Sequence, residues 1–81
     1  MIDFNDVQNI GLGCHRFPPD GVLKYAIEHG VNFFDLDAST ERPFRMFTDK
    51  HPQLRDQLFL CTKVPPGEDI VKACLCSQQT L

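Results

Sequence analysis

The sequence predicts an α/β fold in which short strands and helices alternate in the order β-α-β-α-β-α around a parallel sheet. Residues 31–38 and 58–64 each contain a continuous apolar run between turn signals, which is typical of strands buried on both faces. The segments that follow each strand have helical periodicity. Charged residues gather where the strands end, and parallel α/β folds collect their site residues at that edge.

The first strand and helix are predicted from residues 10–17 and 21–29. Glycines in the strand allow close approach of another group, and two prolines with Asp20 start the helix. The helix places its apolar residues on one face: Val22, Leu23, Ala26 and Ile27. Gly30 suits the C′ position, so the chain passes directly from this helix into the strand at 31–38.

A second helix is predicted over residues 40–50, with Ser39 or Thr40 as its N-cap and Phe44 and Phe47 as its buried anchors.

The strand at 58–64 ends at a Pro-Pro-Gly break, and a third helix is predicted over residues 68–81. Ile70, Cys74 and Leu81 lie near one face of that helix. These elements complete three βα units in a single domain.

Composition restricts the classes of function. A chain of 81 residues has room for one domain, and its 42% hydrophobic and 23% charged residues are those of a globular protein. The net charge of −3 without a basic cluster argues against nucleic acid as a partner. The sequence lacks an apolar run of about 18–20 residues that could cross a membrane. Residues 1–6 lack the apolar region of a secretory signal, so we expect a cytoplasmic protein.

Four cysteines raise the alternative of a disulfide, redox or metal protein. Cys14 and Cys61 lie within apolar runs, and Cys74 and Cys76 are two residues apart on a predicted helix and point away from each other. No Cys-x-x-Cys or Cys/His spacing supports a metal site. We therefore predict buried free thiols and no bound metal.

Charged residues end the two predicted inner strands. Because the carboxyl ends of parallel strands meet at one edge of a sheet, Asp35 or Asp37 is expected to lie near Lys63. Such a pair could tune a group that transfers a proton. Alternatively, it could be an ion pair that satisfies two half-buried charges.

These segments resemble the first part of the aldo-keto reductase family. Residues 30–35 (Gly-Val-Asn-Phe-Phe-Asp) and 58–64 (Leu-Phe-Leu-Cys-Thr-Lys-Val) carry the resemblance, and residues 10–14 and 28–30 agree with it in order and spacing. Residues 70–81 are similar to the helix before the fourth strand of that family. The resemblance covers nearly the whole chain.

The resemblance implies a (β/α)8 barrel, an NADPH cofactor and a small carbonyl substrate. Asp35 and Lys63 match the catalytic aspartate and lysine of the family, and Gly13, Cys14 and Asp35 are implied as cofactor contacts. Thr40 stands where the family has its catalytic tyrosine, and a threonine hydroxyl is a poor proton donor at neutral pH.

Neither the tyrosine nor the histidine of the family is matched elsewhere in the chain. The one tyrosine, Tyr25, lies within a predicted helix and is interpreted as a half-buried packing residue. The family histidine would follow Leu81. None of the three histidines of the chain matches it: His15, His29 and His51.

Three βα units are fewer than a barrel requires, since such a barrel takes about 250 residues. Residues 1–81 are therefore expected to be an N-terminal fragment of a reductase-like barrel, or a truncated gene product, that is inactive alone. The alternative is a small α/β interaction module. In either case the uncovered sheet would favour self-association or binding of a partner.

Overall fold

The computed structural model describes residues 6–81 and shows a small α/β domain. Residues 1–5, on which part of the expectation about a secretory signal rests, lie outside the described residues. The described chain contains the following elements in order: β1 (Leu12–Gly13), α1 (Asp20–Glu28), β2 (Phe33–Asp35), α2 (Ala38–Lys50), a 3-10 helix (Pro52–Gln57), β3 (Phe59–Cys61) and α3 (Ile70–Thr80).

The three strands form one parallel sheet in the order β1-β2-β3. Phe34 pairs with Leu12 on one side and with Leu60 on the other. The predicted parallel α/β topology is therefore confirmed for the described residues. All three strands are shorter than predicted, because the paired segments cover only the middle of each apolar run.

One face of the sheet is covered by helices. Along β2, the fully buried Phe34 alternates with the partly exposed Phe33 and Asp35, as side chains do on opposite faces of a strand. The core behind the covered face consists of seven buried residues: Cys14, Leu23, Phe34, Leu36, Phe44, Phe47 and Leu58. Phe44 and Phe47 are thus confirmed as buried anchors of α2.

Aromatic side chains line the other face of the sheet. The rings of Phe33 and Phe59 stack there, with centroids 5.6 Å apart. Gly11 makes room for this arrangement, since a Cβ at that position would lie 2.6 Å from Phe33 Cδ1. The predicted burial of β2 on both faces is therefore wrong for the described chain, because no helix covers this second face.

The helices begin and end close to their predicted positions. Gly30 follows α1 with a φ of +94°, which fits the C′ glycine that the sequence predicts. Helix α2 begins two residues before its predicted start, at Ala38, and ends at Lys50 as predicted. Helix α3 differs most in its packing. Ile70, Cys74 and Leu81 were expected near one face of this helix; Ile70 and Cys74 are exposed, whereas Leu81 packs against the core.

Candidate functional site at the carboxyl edge of the sheet

The ends of β2 and β3 bring Asp35 and Lys63 together. Asp35 pairs in register with Cys61, the last residue of β3, and Lys63 follows two residues later. Lys63 Nζ donates hydrogen bonds to Asp35 Oδ1 at 2.6 Å and to the carbonyl of Leu36 at 3.1 Å. The predicted proximity of these two residues at the sheet edge is confirmed, with Asp35 rather than Asp37 as the partner of Lys63.

Lys63 also favours the ionised form of Asp35. The hydrogen bond from Lys63 lowers the pKa of Asp35 below its usual value, with smaller contributions from the charges of Lys63 and His15 and from a hydrogen bond with Cys61. The Asp35 side chain is 36% exposed and that of Lys63 is 48% exposed. Because solvent screens a pair this exposed, it sets the charge pattern of the edge more than it stabilises the fold.

His15 is the third charged or titratable group at this edge. Its Nδ1 lies 3.2 Å from Asp37 Oδ2, and its Nε2 lies 3.7 Å from Asp35 Oδ2. The imidazole therefore bridges the two carboxylates of the segment after β2. The resemblance offered His15 only as a possible match for a family histidine. Its position after a glycine-containing strand that pairs with β2 was the signal that could have placed it here.

Asp37 is the N-cap of α2, so the predicted caps Ser39 and Thr40 are wrong. Its carboxylate accepts hydrogen bonds from the backbone N–H groups of Ser39 and Thr40, at 2.8 and 3.1 Å. Thr40 Oγ1 in turn accepts from the N–H of Asp37 at 2.9 Å, which completes a capping box. Hydrogen bonds from Ser39 and from His15 lower the pKa of Asp37 to about 2.

Thr40, at the position where the resemblance would place a tyrosine, is 3% exposed, and its hydroxyl is taken up by this cap. It therefore presents no donor to the open face of the sheet. Tyr25 does not replace the missing phenol, since it lies on α1 and stacks on His29 with ring centroids 4.0 Å apart. Tyr25 is 64% exposed, so its interpretation as a half-buried packing residue is wrong.

The implied cofactor contacts Gly13 and Cys14 differ in their surroundings. A Cβ at Gly13 would meet nothing within 4 Å, and this glycine lines an open cavity of about 410 Å³ together with Gly11, Phe33 and Asp35. Cys14 is fully buried, and burial raises the pKa of its thiol to about 11. The Cys14 side chain therefore belongs to the core, and its backbone N–H donates to the carbonyl of Asp35 at 2.8 Å.

Glu41 on α2 is a buried carboxylate that the sequence pattern does not predict. It is 6% exposed and accepts hydrogen bonds from the hydroxyls of Thr62 and Ser77. Since Thr62 follows β3 and Ser77 belongs to α3, this carboxylate joins three parts of the chain. A charge within a predicted helix gives no sequence signal for such a role.

All four cysteines are free, as predicted, but only Cys14 is buried. The prediction of burial is wrong for Cys61, Cys74 and Cys76. Cys61 is exposed because it ends an edge strand beside the open face, and the other two lie on exposed positions of α3.

The chain matches no family model, no curated protein and no solved structure. Within residues 6–81, no cluster of three or more His, Cys, Asp or Glu side chains is arranged to hold a metal ion. None of the helices in this described part of the chain is long and apolar enough to cross a membrane.

Proposed function

We propose that this chain supplies the aspartate and lysine of an NADPH-dependent carbonyl reductase site, in a barrel of the aldo-keto reductase kind. The observation that carries the proposal is the 2.6 Å contact between Lys63 Nζ and Asp35 Oδ1 at the carboxyl ends of adjacent parallel strands. By resemblance, Asp35 and Lys63 stand at the positions of the catalytic aspartate and lysine of that family. The edge they occupy is where parallel α/β folds gather catalytic groups.

One end of such a cofactor would lie in the open cavity beside Asp35. Its walls combine the backbone of Gly11 and Gly13 with the Phe33 ring, which leaves room for a flat ring next to the sheet. Cationic side chains are absent from the described lining of this cavity, while Asp35 contributes a negative charge. The diphosphate of a dinucleotide would need cations or helix N-termini from other parts of a barrel.

Asp35 and Lys63 would have an electrostatic role at this site. Lys63 favours the carboxylate form of Asp35, and the electric field of the pair would shift the pKa of a neighbouring proton donor. A bound reduced nicotinamide would supply the hydride for the carbonyl carbon. Since the Thr40 hydroxyl is buried in its cap, we propose that the chain does not complete this reaction by itself.

A calorimetric titration of the 81-residue chain with NADPH tests this proposal. We expect no saturable binding at micromolar cofactor, because the described cavity lacks charges that would hold the phosphates. Binding with a micromolar Kd would contradict the statement that the site is incomplete. Sequencing the encoding nucleic acid beyond the Leu81 codon adds a second test, since the reductase proposal requires a further strand that ends in histidine.

The alternative proposal is an α/β interaction module. Two observations favour it: the uncovered face with its stacked Phe33 and Phe59 rings, and the apolar side chains exposed on α3, namely Ile70, Val71 and Leu75. Exposed apolar patches of this kind often mark interfaces. Sedimentation or size-exclusion measurements separate the two, because a stable dimer at micromolar concentration favours the module and a chain that aggregates without a defined stoichiometry favours the incomplete barrel.

A further inference from the structure

We propose that a cavity between α2 and α3 binds a small zwitterion of the α-amino acid class, with its ammonium on Glu41 and its carboxylate between Arg42 and Lys72. The cavity has a volume of about 320 Å³ and is lined by the start of α2, the segment that follows β3 and one face of α3. This volume is at the small end of the range of ligand pockets. The cavity shares only Lys63 with the charged edge around Asp35, so the proposal does not depend on the reductase chemistry.

Glu41 gives this cavity a buried carboxylate with one oxygen still open. The residue is 6% exposed, and the hydroxyls of Thr62 and Ser77 both donate to its Oε2. No group of the described chain donates to Oε1. Since no fully buried side-chain oxygen among residues 6–81 lacks a partner, Oε1 remains accessible, and Glu41 lines the cavity. A carboxylate in such surroundings favours a cationic donor, because an unpaired charge is costly to bury.

Two cations of the cavity wall have no partner of their own. Arg42 follows Glu41 on α2, and Lys72 belongs to α3 on the opposite side. Within the described chain, neither side chain forms an ion pair or a hydrogen bond. The third cation, Lys63, already donates to Asp35. Arg42 and Lys72 are therefore free to form charge-assisted hydrogen bonds with a ligand carboxylate.

The mixed signs of charge on the wall indicate the class of ligand. A simple anion would be attracted by Arg42 and Lys72 but repelled by the carboxylates of Glu41 and Glu68, and a simple cation would meet the reverse. An α-amino acid carries an ammonium and a carboxylate on one carbon atom. It therefore satisfies both kinds of group at once, which neither of the simpler ions can do.

Titration of the isotope-labelled 81-residue chain with L-alanine, followed by the amide signals in NMR spectra, tests the proposal. We expect saturable shifts at residues 41–42 and 72–77 at millimolar ligand. Propionate lacks the ammonium and ethylamine lacks the carboxylate, so each should bind about tenfold more weakly, because a hydrogen bond between charged groups is lost. Absence of saturable L-alanine binding would overturn the proposal, and so would equal affinities for the three probes.

Two variants test the two halves of the site. Glu41→Gln should weaken L-alanine about tenfold without weakening propionate, because only the ammonium contact loses its charge. Lys72→Gln should weaken L-alanine and propionate but not ethylamine. Lys24→Gln is the matched control, since Lys24 is an exposed lysine of α1 outside the cavity lining, and it should leave all three affinities unchanged.

Lys72→Gln also keeps the test independent of folding. Glu41 holds α3 through Ser77, so its replacement affects both stability and the site, whereas the Lys72 side chain makes no polar contact within the described chain. The same L-alanine affinity in Lys72→Gln as in Lys24→Gln would overturn the assigned position of the ligand. Because these titrations contain neither NADPH nor a carbonyl compound, their outcome and that of the reductase proposal are separate.

Discussion

Helices α2 and α3 follow neighbouring strands of the same sheet, yet they are held in different ways. Helix α2 buries Phe44 and Phe47 in the core and begins with a full capping box. Helix α3 has no buried residue. It is attached mainly near its C-terminal end, where Ser77 donates to Glu41 and the carbonyl of Thr80 accepts from Arg45.

Helix α2 is held mainly by burial of apolar side chains, whereas α3 is held mainly by hydrogen bonds. A helix gains most of its stability in a protein from packing of an apolar face. Helix α2 has such a face, and α3 leaves its apolar side chains in solvent. We therefore expect the second βα unit to be the stable part of the domain, and α3 to open locally at lower free energy.

The largest effect is expected from truncating the core anchor of α2. Phe44 is fully buried and its ring lies 5.5 Å from that of Phe34 and 5.8 Å from that of Phe47. Phe44→Ala should lower the free energy of unfolding by about 3–5 kcal/mol, which rivals the whole stability of about 4–12 kcal/mol expected for a chain of this length. Urea unfolding followed by circular dichroism measures the change.

Leu75→Ala on α3 is the matched control, because Leu75 is a large apolar residue that is 54% exposed. Its effect should stay within about 0.5 kcal/mol, as for surface substitutions in general. Similar losses for the two variants would show that α3 is packed as firmly as α2.

The second-largest loss of stability is expected on changing Glu41, whose carboxylate joins the two helices. Glu41→Ala removes the acceptor shared by Thr62 and Ser77 and should cost about 1–3 kcal/mol. Hydrogen exchange should show the loss most clearly in the amides of α3, because Ser77 is a main attachment of that helix.

Two further variants define what Glu41 contributes. Glu41→Gln keeps an acceptor and adds a donor that a hydroxyl can use, so it should be milder than Glu41→Ala. Glu68 is an exposed acidic residue near α3, and Glu68→Ala should leave stability unchanged. Equal losses of stability in Glu41→Ala and Glu68→Ala would show that Glu41 does not hold α3 in place.

A smaller effect is expected at the helix caps. Asp37 accepts two backbone hydrogen bonds at the start of α2, whereas Asp69 accepts one, from the N–H of Lys72, at the start of α3. Asp37→Ala should therefore lower the thermal midpoint more than Asp69→Ala does. The reverse order would show that the start of α3 limits the stability of the domain.

The N-cap of α2 also makes the folding stability of the domain depend on pH. The pKa of Asp37 falls from 3.8 to about 2 on folding, so its contribution is present above the unfolded value and is lost as the pH falls from about 4 to about 2. Acid unfolding should be less steep over this range in Asp37→Asn, which caps the helix but does not titrate. An identical acid transition in both proteins would contradict the assigned contacts of Asp37.

Local patterns in the sequence were enough to predict the order of the strands and α-helices and the parallel pairing of the strands, but not the 3-10 helix at Pro52–Gln57. The glycine after α1, the aromatic anchors Phe44 and Phe47, and the meeting of Asp35 with Lys63 all follow from spacing along single elements and from the geometry of parallel strands. The caps of α2 were misassigned because Asp37, Ser39 and Thr40 are all good N-caps, and only the start of the helix at Ala38 decides among them.

Properties that depend on what covers a surface could not be predicted. Ile70, Cys61 and Cys74 have the apolar character of buried residues, yet each faces a side of the domain that no described element covers. His15 was missed for a different reason. Its contact with two carboxylates depends on the path of the loop after β1, which the sequence pattern does not determine.

The ends of β2 and β3 form one charged site through Asp35 and Lys63. The most direct test is an NMR titration of the Asp35 carboxyl carbon in the unmodified chain and in Lys63→Met. We expect the pKa of Asp35 to lie below its ordinary value in the unmodified chain, because Lys63 donates to Asp35 at 2.6 Å, and to move upward in the variant. The same Asp35 titration in both proteins would show that the two side chains do not meet, and would contradict the site.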